Sequence, residues 1–533
     1  MAKFTLRKFA SILFTIIILS LVTVASPRRA SALQVGVPLD QALVLAGGES
    51  TNPRSYDPAT THNSGDKLVF SGLVSFDPNL NLTPDLAESW DISADGTMYT
   101  FHLRQNAKFH NGRAVTAQDV IYSWQRAASP AIASDTVLTY LGDIVGLREM
   151  NAGQAESISG LVALDDHTLQ VTIDAPKPYF LLKLTYATAF ILDKENVESG
   201  EEWYRAPNGT GPYRLTEWRR FEQMVYEANQ DFYLGAPSIP YVVFQLYSGD
   251  DQRLYETGEV DIAGAYSIER FTDSTEPLHN ELLTGVSLCT GFVNFDSTRP
   301  PFDDPKVRQA FTMAFDRQKF IDVVMSQRAL PAKGLYPPAL PGYSLTLEAL
   351  PYDPERARQL LAESKYGGPD GLPPIVYTDG GIGTYINSDV AALAEMWEQN
   401  LGVTITVENL EPNFFTEQVY AGNHGQLFSG GWCADYPDPE NFADVLFHTG
   451  SQQNGGGYSN PQLDALLEQA RTERDVPTRI ALYQQAEQII VDDAAALFTA
   501  HYLSYQLVKP YVKGYAYTPI DIPIERYMWL DGK

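Results

Sequence analysis

The stretch 301-PFDDPKVRQAFTMAFDR-317 can be read almost residue by residue. Asp304 can accept hydrogen bonds from the first free N–H groups of a helix, and Pro305 fits the first helical position, where no donor is needed. Val307, Ala310, Phe311 and Ala314 then recur at helical spacing, so the segment is a helix with one apolar face. The same start recurs at Asp353-Pro354, ahead of Ala357, Leu360 and Leu361, and at Asn460-Pro461, ahead of Leu463, Leu466, Leu467 and Ala470. Thr116 and Asp119 form a capping-box variant before Val120 and Trp124. Between such helices lie strand patterns. Met98–Arg104 alternates through Tyr99, Phe101 and Leu103, and Thr168–Ile173 through Leu169, Val171 and Ile173. Tyr241–Tyr247 (YVVFQLY) is a nearly continuous apolar strand of the fully buried kind. Helices and strands that alternate in this way predict an α/β (α+β mixed) protein. Glycine and proline cluster at 335–343 and 366–374, which predicts surface loops within a domain.

The 533 residues are enough for more than one domain. Lys plus Arg number 38 against 66 Asp plus Glu, a net charge of −28. That surplus of acid argues against nucleic acid and anionic lipid as partners, because both require a cationic face. Lys3, Arg7 and Lys8 precede an apolar run from Phe9 to Val24, followed by Ala30-Ser31-Ala32. This is the pattern of a secretory signal peptide over residues 1–32. The run is roughly 16 residues, short of the roughly 20 a membrane span needs. The expected location is the periplasm or another extracytoplasmic part of the envelope. No cysteine ends the segment, so no lipoprotein anchor is expected; Arg28 and Arg29 leave an uncleaved anchor as the rival reading. Export makes a disulfide between the two cysteines, Cys289 and Cys433, chemically reasonable, but spacing alone does not choose between that and two buried thiols.

Familiar catalytic signatures are missing: there is no P-loop, no G-x-S-x-G, no H-E-x-x-H and no C-x-x-C. Asp379-Gly380-Gly381-Ile382-Gly383 has the wrong spacing for a dinucleotide site and reads as a turn. His102 and His110 flank a strand end without a ligand pattern. No catalytic residue, metal site or cofactor is expected. The informative segment is 429-SGGWCADYPDPENF-442. Gly430 and Gly431 before Trp432 and Cys433 read as an extended strand that another backbone can approach. Asp435 follows, then a proline-rich turn. An edge strand beside a carboxylate and an indole suits an extended peptide: main-chain bonds hold it, and Asp435 neutralises its ammonium. By itself Asp435 fits an ordinary turn acid after a core strand better.

Taken in order along the chain, the motifs resemble one family. Pro84-Asp85-Leu86-Ala87-Glu88-Ser89-Trp90 is followed by Phe101-His102-Leu103-Arg104, Phe109-His110-Asn111-Gly112 and Thr116-Ala117-Gln118-Asp119-Val120. Then come Gly209-Thr210-Gly211-Pro212-Tyr213, Gly258-Glu259-Val260-Asp261-Ile262 and the block Pro301–Ala310 that continues to Asp316-Arg317. Together they resemble the extracytoplasmic peptide-binding proteins of ABC importers. Leu288-Cys289-Thr290, Gly431–Tyr436 and Leu507-Val508-Lys509-Pro510 are most similar to the oligopeptide-binding branch.

The resemblance implies a two-lobed periplasmic-binding-protein-like fold with an extra subdomain in the N-terminal lobe. Lobe I would take 33–288 plus 503–533, with the extra subdomain near 75–185, and lobe II 289–502. It implies a Cys289–Cys433 disulfide, Asp435 as partner of the peptide amino group, backbone contacts at Gly430, Gly431 and Cys433, a side-chain pocket at Trp432 and an aromatic wall at Phe292. A counterpart strand would fall in Thr61–Ser64. Peptide ligand and membrane permease would be the partners of a monomer. The chain departs from the branch where the peptide carboxylate is met: Asn413–Ser429 has no Arg or Lys, and Met325 falls where a lysine is expected. The alternatives are another solute on the same scaffold (an oligosaccharide or a nickel complex), a secreted hydrolase, and a structural envelope protein.

Overall fold

Two long strands, Leu282–Phe295 and Ala496–Val508, run antiparallel along each other through the middle of the computed structural model. Their register runs from Leu282 opposite Leu507 to Asn294 opposite Ala496, with shifts between Val286 and Thr290 and between Gly291 and Phe292. The structure describes residues 36–47, 55–60, 66–246, 249–381, 383–520 and 522–533. The expected signal segment 1–32 and the counterpart strand at Thr61–Ser64 lie outside these residues.

The long pair changes neighbours along its length. At one end Ile262–Gly264 pairs with Gln506–Val508, and beyond it Ala42–Gly47 lies parallel to Tyr241–Leu246. Gln223–Ala228 and Tyr213–Arg219 complete that side as antiparallel strands. At the other end Leu427–Cys433 lies antiparallel to Cys289–Phe295, followed by the parallel strands Ile375–Gly380 and Ile405–Leu410. With Ala329–Pro331 these make one eleven-stranded sheet among the described residues. Helices on its faces and both strand directions within it give the expected mixed α/β class. Where the neighbours change, the buried Thr290 hydroxyl donates to the Leu335 carbonyl and hydrogen-bonds His501 Nδ1. Burial pushes His501 down to about 4, so its ring is neutral.

A separate four-stranded antiparallel sheet forms from Ala87–Ile92, Met98–Leu103, Thr168–Thr172 and Leu161–Asp165. Burial alternates along Met98–Leu103 as the sequence requires, with Tyr99, Phe101 and Leu103 inward. The helix Ala117–Ala128 covers this sheet and buries Val120 and Trp124 in the same core. At its start Asp119 accepts the Thr116 N–H at 2.8 Å. The Asx-Pro starts act as read: Asp304, Asp353 and Asn460 cap the helices Pro305–Met313, Pro354–Glu363 and Pro461–Thr472.

Two loop expectations need correction. Residues 335–343 are not simply a surface loop: Leu335, Tyr336 and Leu340 are buried. They pack under the helix Val476–Asp492, where Glu487 accepts the Tyr336 N–H and the Tyr483 carbonyl accepts the Tyr336 hydroxyl. Asp379 and Gly380 are the end of a sheet strand and not a turn.

Candidate functional site

The strand Leu427–Cys433 has two edges. One pairs with Cys289–Phe295 over its whole length. On the other, pairing with Tyr377 and Thr378 stops at Phe428 among the described residues. Past that point Gly431 and Cys433 are exposed, and Ser429, Gly430 and Trp432 half-buried. A strand edge ending this way offers unpaired N–H and C=O groups to another chain. Gly430 is required by its cross-strand neighbours: a Cβ there would lie 2.3 Å from Asn294 Nδ2 and 2.7 Å from the Phe292 ring. Cys289 and Cys433, register partners on the two strands, are joined by a disulfide.

Two residues past the strand, the half-buried Asp435 sits where distant segments meet. The Tyr140 hydroxyl donates to its Oδ2 at 2.6 Å. Tyr140 ends the short helix Val137–Tyr140 and stacks on Tyr186 with ring centroids 3.7 Å apart. Burial, then the charge of Asp435, raises Tyr140 well above the ordinary phenol range, so the phenol keeps its proton and remains a donor. The fully buried Asn441 organises the other side. Its Oδ1 accepts from both the Trp432 indole, at 3.1 Å, and the Asp435 N–H, at 2.9 Å, while its Nδ2 donates to Asp435 Oδ2 at 3.3 Å. The structure thus brings Asp435, Trp432, Gly430, Gly431 and Cys433 onto one strand end. Phe292 lies one strand inward, 6% exposed, with its ring 6.1 Å from that of Phe498. Tyr140 and Asn441 are the members that sequence reasoning missed: Tyr140 lies 295 residues from its partner, and Asn441, though within 429–442, carries no pattern that marks its bonds to Asp435 and Trp432.

A layer of buried charge adjoins the site. Lys183 Nζ lies 3.0 Å from Asp143 and 3.4 Å from Glu440, and Lys177 bonds Asp143 at 2.6 Å. Arg479 is bidentate to Asp438 and Arg471 to Asp444. Tyr436 donates to Glu440, whose carboxyl burial lifts to about 7, against the pull of Lys183. Among these, the Lys183–Glu440 pair ties segment 143–183 to segment 438–479.

Ser429 donates to Asp379 at 2.6 Å and hydrogen-bonds Tyr377, and Asn387 also donates to Asp379. Met325 packs against the core around Phe311 and Trp397. His102 pairs with Asp91, and His110 Nε2 lies 3.1 Å from the Gly211 carbonyl. Among the described residues no group of three His, Cys, Asp or Glu is placed to hold a metal ion, and no helix is long and apolar enough to cross a membrane.

Comparison with known proteins sets this geometry in a family. The family model described as bacterial extracellular solute-binding proteins, family 5, matches residues 81–454. The chain belongs to that family. Over 522 residues, 94% of the chain and 95% of the relative, this family 5 protein is 31% identical to the periplasmic oligopeptide-binding protein OppA of Escherichia coli (strain K12). The solved murein tripeptide binding protein MppA of Escherichia coli superposes with a TM-score of 0.80 at 29% identity, covering 92% of this chain and 98% of that one. Haemophilus influenzae OppA, solved in complex with RPPGFSPFR, gives a TM-score of 0.79 at 26% identity over 93% and 99% of the two chains. The family 5 protein accordingly has the two-lobed fold of these binding proteins and is extracytoplasmic. Its relatives are binding proteins and not enzymes.

Proposed function

We propose that the protein captures peptides between two lobes and delivers them to an ABC-type membrane importer, without catalysing a reaction on them. The observation that carries this reading is a carboxylate, Asp435, held two residues beyond an open strand edge. An extended peptide adding to the edge at Gly430–Cys433 gains main-chain hydrogen bonds whatever its sequence. Its ammonium then meets Asp435, a carboxylate with about four acceptor sites that can hold the Tyr140 hydroxyl and the ligand together. Trp432, fixed by Asn441, and Phe292 flank the ligand's side chains. The disulfide from Cys289 to Cys433 keeps the edge in place.

Residues 1–32 serve as the signal peptide, lobe I comprises 33–288 with 503–533, including an extra subdomain near 75–185, and lobe II comprises 289–502. The change of neighbours along the two long strands near Thr290 and His501 supports this division. A ligand that touches both lobes binds the closed form better and shifts the population toward it, and the closed form is what the permease meets.

Calorimetry with trialanine and N-acetyl-trialanine tests the reading. Acetylation should abolish binding, and Asp435→Asn should weaken binding of the free peptide on the order of 100-fold, as loss of a buried charge-assisted contact does. Equal affinity for the two forms refutes Asp435 as the ammonium site.

A further inference from the structure

A cavity of about 140 Å³ opens beside the half of the strand that carries Gly430 and Trp432. Its walls are the rings of Phe292, Phe415, Phe428 and Phe447, with Val419 and Leu446 between them. The polar groups along it, from Asn294, Thr416, Ser429 and Gln453, are all neutral; no charged side chain lines it among the described residues. A wholly apolar cavity of roughly 150 Å³ is large enough to hold a benzene ring. Gly455 forms part of the boundary: a Cβ there would touch the Phe428 ring at 3.4 Å, so any larger side chain at that position would reach into the space.

We propose that this cavity is a selective subsite for one bulky uncharged side chain of the ligand, phenylalanine or leucine in kind, so that the protein prefers peptides carrying an aromatic or large aliphatic residue at one position. This rests on the peptide reading above. An extended ligand beside the strand sends alternate side chains to opposite faces, so a single residue of the ligand enters the cavity. Four phenylalanine walls give that residue dispersion and burial. A carboxylate or ammonium placed there loses water and finds no counter-charge. The same scaffold can tolerate many sequences elsewhere along the strand, because main-chain bonding does not depend on side chains, and still discriminate at this one place.

The test is calorimetry on five tripeptides: trialanine, trialanine with Phe substituted in turn at each position, and the best of these with Asp in place of Phe. At one position Phe should bind on the order of 100-fold tighter than Ala, and Asp there should bind no better than Ala. Gly455→Val, which puts a larger side chain into the cavity at a residue outside the strand and Asp435, should cut the Phe-over-Ala preference at least tenfold and leave trialanine affinity unchanged. Phe415→Ala, which removes one wall, should also reduce the preference. Equal affinities across the series, with trialanine bound, would overturn the subsite and leave peptide binding standing. Preference unchanged in both variants would move the selectivity elsewhere and overturn it too. Absence of binding by every peptide would overturn the peptide reading itself, and this inference with it.

Discussion

Glu487 is 1% exposed, and only one of its oxygens has a partner: Oε1 accepts the Tyr336 N–H at 2.9 Å, while the buried Oε2 has none. Among the described residues no cation faces it, and burial, against the pull of the Tyr336 and Leu335 N–H groups, lifts its carboxyl from 4.5 to about 7. At about 1.4 kcal/mol per pH unit, ionising Glu487 in the folded protein costs about 3 kcal/mol more than in the unfolded chain. Because the native carboxyl keeps its proton to higher pH, folding takes up a proton between pH 4.5 and 7. The stability this group contributes is therefore complete below about 4.5 and lost as pH rises through 7. Glu487→Gln keeps the acceptor for Tyr336 but cannot ionise, at a cost of about 1 kcal/mol for one more buried amide N–H to satisfy. Relative to the native protein, the variant should be about 1 kcal/mol less stable at pH 4.5 and about 2 kcal/mol more stable at pH 8. Urea unfolding at half-unit pH steps measures the difference directly. A difference between variant and native protein that stays flat across pH 4.5–8 would refute the assignment of a neutral buried acid at this position. The residue matters beyond its own energy because it holds the Leu335-Tyr336 backbone, to which Thr290 of the long strand is bonded.

Asn441→Ala removes the acceptor shared by the Trp432 indole and the Asp435 N–H; peptide affinity by calorimetry should fall about 10- to 100-fold while the circular dichroism spectrum is unchanged. Lys183→Met strips Glu440 and Asp143 of a buried cation and should cost about 3–5 kcal/mol in urea unfolding, of which Glu440→Gln in the same chain should restore at least 1 kcal/mol; additive effects would show that the two do not interact. Replacing both Cys289 and Cys433 by Ser opens a loop of 144 residues and should lower stability by about 2–5 kcal/mol, with native protein in excess reductant falling to the same level.

What the sequence discloses here is local chemistry. Asp304, Asp353 and Asn460 act on N–H groups two or three residues away, so the pattern and the bond it makes lie in one short window. Met98–Leu103 alternates because a half-buried strand must. The helix Val476–Asp492 went unread for an equally physical reason. Its inward face carries Arg479 and Glu487 among Leu482, Tyr483, Ala486 and Ile490, so the apolar stripe that marks a helix is broken by two buried charged residues. Each has a partner far along the chain, Asp438 for the arginine and the Tyr336 backbone for the glutamate. Asp435 was legible as an acid after a glycine-bearing strand, and the family resemblance gave it a role. Its setting was not legible: Tyr140 reaches it across 295 residues, and Asn441 looks in sequence like any polar residue opening a helix. Gly430 was read as room for an incoming backbone, yet the Phe292 ring and Asn294 across the strand already require it.

The character of the contact between segments 143–183 and 438–479 bears on how capture is reversed. Among the described residues before residue 282, Phe76 and Tyr140 are the buried members of the core cluster around Tyr436 and Phe442. Leu80, Leu82, Leu182 and Tyr186 pack against it half-buried, and charge adds to the join: Lys183 between Asp143 and Glu440, and the Tyr179 ring against the Arg479 guanidinium at 5.1 Å. An apolar seam of the same extent would be stabilised by each square ångström buried and would hold shut without cargo. Paired charges repay their own desolvation and little more, so the charged part of this join fixes geometry while adding little to its energy. A join near balance leaves the decision to the ligand, because a population shift needs only the ligand's difference in affinity for the two states. Glu440, with its carboxyl near 7, sits at the point in that join where a change of one proton alters the balance.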